Sequence, residues 1–236
     1  MSSIKSTARV AGVLYLVLGI VGWFCLMYVP GKLIVRGDAA ATAANLAASP
    51  GLFRAGIVAG LASVILYMVL ALVLYRLFEG VSRFQAAALL TLVLLQAPLA
   101  FANEVSSLGA LVVARGPDFL SVFDKPQRDA LVMLLLNLDT QGTFVSEIFW
   151  GLWLFPFGLL VYRSGFLPRV LGVWLLVNGA AYLALSLFGL LAPELYPTAF
   201  QWSFPFLLGE PAIMLWLTIV GARPRQTGAE MQTLTS

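Results

Sequence analysis

Histidine is absent from the 236 residues, cysteine occurs once, and Asp, Glu, Lys and Arg together make up only 11% of the chain. The missing histidine removes membrane haem sites, zinc-dependent intramembrane proteases and Ser-His proteases, all of which use imidazole as ligand or base. A single cysteine, Cys25, can form neither an internal disulfide nor a dithiol relay. The three lysines, Lys5, Lys32 and Lys125, all fall outside the apolar runs, so a buried Schiff-base lysine is excluded. No phosphate-cradling glycine loop is present either. The formal charge of +3 comes from cations scattered singly at helix ends, which reads as a topology signal and excludes a nucleic-acid face.

What is abundant is hydrocarbon. The chain is 61% hydrophobic with a mean hydropathy of +0.94, whereas an ordinary soluble domain carries about 25% charged residues. A bilayer core of about 30 Å needs roughly 20 apolar residues per helical crossing, and six such runs can be marked. The expected class is therefore all-α, a polytopic helix bundle with six transmembrane helices forming one domain over residues 1–225, with a disordered tail over 226–236.

The first run, Val10 to Val29, is too long for a signal peptide and is expected to end at Pro30-Gly31. Asp38 is placed to cap a short helix from Ala39 to Ala48. The second crossing runs from Leu52 to Phe78 and the third from Phe84 to about Val113, with a bend expected at Pro98. Helical periodicity from Asp129 to Tyr162 spans roughly 50 Å, more than one crossing requires, so it is divided into an amphipathic approach to about Asp139 and a crossing from Gly142. The fifth and sixth crossings end near Leu191 and Gly221. With the N-terminus inside, eight of the 14 Lys and Arg are cytoplasmic and six exterior, and the loop before the sixth crossing has none. Both termini are expected in the cytoplasm, and the protein in a bacterial inner membrane. Residues Arg9–Gly19 and Arg169–Gly179 also align as a possible internal repeat.

Several strings together resemble the bacterial membrane family called domain of unknown function 4386. They are Ala8-Arg9-Val10-Ala11-Gly12, the stretch Gly37 to Asn45, Leu52-Phe53-Arg54, the stretch Arg163 to Gly172, and Glu210 with Leu215-Trp216-Leu217. The resemblance implies an integral membrane protein without an established activity. It also implies histidines around the fourth crossing, where this sequence has Asp139-Thr140-Gln141-Gly142 and Trp153.

Among the acids, Glu210 is the costliest: about ten residues into the sixth crossing, it lies roughly 15 Å deep, at the bilayer midplane. Pro211 frees a carbonyl one turn earlier, which predicts a bend beside the carboxylate. Gln96 and Asn178 fall at a similar depth on the third and fifth crossings. The three form either a sealed hydrogen-bonded layer or the floor of a polar site. Near the exterior ends stand Arg54, Glu104 and Glu147, read as an ion pair of Arg54 with one of the acids or as an outer vestibule. No catalytic residue, cofactor or metal is assigned. Two functions lead: a non-catalytic component that binds lipid, a membrane-protein partner or a second copy, or a small-solute or cation/proton-linked transporter or binding protein using the midplane carboxylate; an enzyme with Glu147 or Glu210 as general acid or base comes third, without a paired nucleophile or metal motif.

Overall fold

The computed structural model describes residues 2–223; the expected tail over 226–236 lies outside them. Six helices are long and apolar enough to cross a membrane, and no strand occurs among the described residues. The first crossing is α1 (Ser2–Trp23) continued by a π-helical turn, Phe24–Tyr28, and α2 (Val29–Leu33). Pro30-Gly31 does not end it. A π turn widens the helix directly ahead of the proline, which relieves the clash of its ring with the preceding turn. The helix ends instead at Leu33.

The short helix α3 (Ala39–Ala48) has the expected bounds, and the Asp38 carboxylate accepts a hydrogen bond from the Ala41 amide at 2.8 Å. Next come α4 (Pro50–Phe78) and α5 (Arg83–Arg115), the latter capped by Ser82 and stopped by Gly116 in the left-handed region at φ 58°. The fourth crossing, α6 (Lys125–Ser164), is one unbroken helix of 40 residues, so the division expected near Asp139 is corrected. A capping box of Asp124 and Gln127 starts it, Gly165 ends it, and α3, α5 and α7 flank it; no proline interrupts the backbone ladder around Asp139, so the helix runs through although Asn137, Thr140 and Gln141 are exposed. After α7 (Arg169–Leu191), the sixth crossing is divided at Leu208 into α8 (Tyr196–Leu207) and α9 (Gly209–Ile219). Glu210 stands in the first turn of α9.

Neighbours in the bundle follow a closed ring: α1 packs on α4, α4 on α5, α5 on α6, α6 on α7, and α9 on both α7 and α1. An even number of crossings returns the chain to the face where it began. Arg9 accordingly donates to the Ile219 carbonyl at 3.4 Å. We call this the proximal face and the opposite one distal.

Two apolar clusters fill the ends of the ring. The proximal cluster joins Leu74, Phe78, Leu89, Phe157, Leu175 and Leu217. The distal one joins Val29, Leu46 of α3, Phe53, Leu111, Val132 and Leu136. Between them the packing opens.

Candidate functional site

A cavity of about 530 Å³ occupies this gap, within the range of about 300 to 1,000 Å³ typical of small-ligand sites. Its walls are stripes at heptad spacing, the pattern that holds residues on one helix face. On α6 the stripe is Leu136, Asp139, Thr143, Ser146, Trp150 and Trp153; on α5 it includes Val93, Gln96, Ala100, Asn103 and Ser107, with Glu104 beside it. Phe53, Gly56, Gly60, Ser63 and Tyr67 supply the α4 wall, and Gly19 and Gly22 lie on α1. Small residues create the space: a methyl group added at Gly22 would meet nothing within 4 Å.

Among the described residues three carboxylates line the chamber, Glu104, Asp139 and Glu210, and no lysine or arginine does. Glu210 is the best satisfied of them. Tyr15 donates to Oε1, Asn178 Nδ2 donates to Oε2 at 3.2 Å, and Tyr182 makes a further hydrogen bond. The Asn178 part of the expected midplane layer is thus formed. Gln96 is not hydrogen-bonded to Glu210; it is buried, with 6% of its surface exposed, lines the same chamber, and its Oε1 has no partner. Tyr67 Oη is likewise buried without a partner. Tyr15 and Tyr182 escaped the sequence reading because an aromatic in an apolar run carries no sign of which face it serves.

Counting helix rise from the proximal ends puts Glu210 about 14 Å deep and Glu104 about 32 Å, close to the distal limit of a bilayer core. Glu104 fits into a space that glycine leaves: a Cβ at Gly60 would collide with its carboxylate. Asn103 is accommodated in the same way against Gly142. Among the described residues no hydrogen-bond donor or cation reaches the Glu104 carboxylate, whereas Asp139, close enough for their charges to interact, accepts from Ser107.

The expected pairing of Arg54 is not made. Arg54 is exposed, and the one ion pair among the described residues is Lys125 with Asp129, at 2.6 Å. Arg54 stands near the start of α4, toward the distal face, where a long cationic side chain keeps its charge in a polar environment. Glu147 is also apart from the chamber. It is 3% exposed and accepts from Tyr196 at 2.5 Å, linking α6 to the start of α8.

Among the described residues no group of three or more His, Cys, Asp or Glu comes together to hold a metal ion. The lone thiol of Cys25 lies in the chamber wall, level with Glu104 by helix rise. No curated protein and no solved structure matches this chain. The family model described as Domain of unknown function (DUF4386) nonetheless matches residues 10–221, and this chain, with its six helices long and apolar enough to cross a membrane, belongs to that family.

Proposed function

We propose that the protein is a membrane-embedded binding protein or transporter for small cations, with Glu210 as its midplane carboxylate. The observation that carries this reading is a chamber lined, among the described residues, by three carboxylates and by no cationic side chain. Acids held in a low-dielectric site without a counterion favour a cation as occupant and disfavour an anion. The unpartnered Gln96 Oε1 adds a further acceptor. The division of the sixth crossing at Leu208, one turn before Pro211, supports the same reading, because interrupted helices at mid-depth build ion and substrate sites.

The test is reconstitution into liposomes loaded with a pH-reporting dye, driven by inward gradients of sodium, potassium or tetraethylammonium. At least one cation is expected to produce a dye response or saturable binding, and Glu210→Gln is expected to abolish the response while the protein stays folded. Absence of both response and binding for every cation overturns the proposal.

One observation favours a second reading. Hydrogen bonds from Tyr15, Tyr182 and Asn178 tie α1 and α7 to α9 through Glu210, as an internal fastener of a non-catalytic component would. On that reading Glu210→Gln leaves every function of the protein intact.

A further inference from the structure

The chamber's chemistry narrows the kind of cation. Its volume, about 530 Å³, far exceeds a bare ion, and among the described residues no set of acids converges as a divalent metal would require. Trp150, Trp153 and Tyr67 line it, and aromatic side chains suit an apolar body and attract positive charge. Toward the distal end the groups left without donors are acceptors: the Glu104 carboxylate in its glycine cradle and, deeper, Gln96 Oε1. An alkylammonium group carries three donors and no acceptor, which complements such a set. The lining also includes Gly22, where an added methyl group would meet nothing within 4 Å, and Trp23, Leu26 and Met27 of the first crossing, which are exposed on the bundle's surface.

We propose that the chamber binds a primary amine with an apolar body, its ammonium group between Glu104 and Asp139 and its body along the aromatic wall of α6 toward Gln96. This assignment rests on the reading of the chamber as a cation site and specifies the substrate class. Glu104 and Asp139 are the charge-recognising pair. Gly60 is a positioning residue, since its missing side chain is what lets the Glu104 carboxylate reach its place.

The experiment is equilibrium binding of radiolabelled hexylammonium to the full chain in nanodiscs of neutral lipid, with empty nanodiscs subtracted, and with hexanol and hexanoate as matched controls. Saturable binding of hexylammonium is expected, with hexanol and hexanoate weaker by about tenfold or more, the scale of losing one partner of a desolvated charge pair. Glu104→Gln should weaken it similarly. Gly60→Ala, which keeps every charge but displaces the carboxylate, should do so too, while the exposed Glu79→Gln controls for the loss of one negative charge and should leave binding unchanged. Folding of each variant is checked by circular dichroism and by elution as a single species. Equal binding of hexanol, or hexylammonium binding insensitive to both Glu104→Gln and Gly60→Ala, overturns the assignment. If sodium or potassium binds saturably and hexylammonium does not, the amine assignment fails and the cation chamber stands; if none binds, both fail.

Discussion

Glu210 shows how one residue separates a fastener from a working site. Replacing it with leucine leaves three donors, on Tyr15, Tyr182 and Asn178, facing an apolar group, and should destabilise the bundle by about 1 to 2 kcal/mol, measured by denaturant titration in mixed micelles. Glu210→Gln keeps an acceptor oxygen and should cost less than half as much, so a folded Gln variant isolates the role of the ionisable group. Cys25 offers a second test at this scale, because it is the sole thiol and lines a chamber of carboxylates. A positively charged methanethiosulfonate should modify it about tenfold faster than a negatively charged one of similar size, read by mass spectrometry. Equal rates would show that the acids do not set the chamber's potential.

At the scale of helices, glycine has two unlike uses. Between α6 and α7 it brings backbones together: a methyl at Gly158 would lie 2.7 Å from the Gly172 carbonyl oxygen, and one at Gly172 would lie 2.6 Å from that of Gly158. Gly151 and Gly179 repeat the arrangement one heptad away, at 2.7 and 2.8 Å. A backbone oxygen cannot swing aside as a side chain can. Gly158→Ala and Gly172→Ala should therefore each lower stability by about 1 to 3 kcal/mol, the cost of overpacking, whereas Gly60→Ala, which meets the mobile end of Glu104, should cost little. Comparison of the three variants in the same unfolding assay checks this ordering. Element boundaries were readable where the chemistry is local, as with Asp38 capping Ala39–Ala48. They were misread where length alone decided: the helical run from Asp129 to Tyr162 was divided because it exceeds one bilayer crossing, yet α6 is continuous, with Asp139 and Thr143 on its chamber-facing stripe.

For the molecule as a whole, six crossings and the family were legible in composition, run lengths and the strings around Arg9, Asp38 and Arg163. The meeting of Glu210 with Asn178 was legible from depth, since few polar groups share a level in hydrocarbon, although the same argument also named Gln96, which is not bonded to it. The chamber was not, because depth says nothing about azimuth. Arg54 and Glu147 have the depth expected of vestibule residues but stand outside the chamber, while Asp139, Asn103 and Ser107 inside it became meaningful only once the ring of helices fixed which faces meet. The separation of Glu210 from Glu104, about 18 Å along the helix axes, carries one more consequence. A monovalent cation that moves from the distal pair to the midplane carboxylate crosses roughly half of the transmembrane electric field. At about 2.3 kcal/mol per charge for 100 mV, half the drop amounts to about 1.2 kcal/mol, or roughly a sevenfold change in occupancy of the deeper site. Binding at Glu210 should thus depend on membrane voltage while binding at Glu104 and Asp139 should not, and a charge displacement without net turnover would be the electrical signature of the two stations.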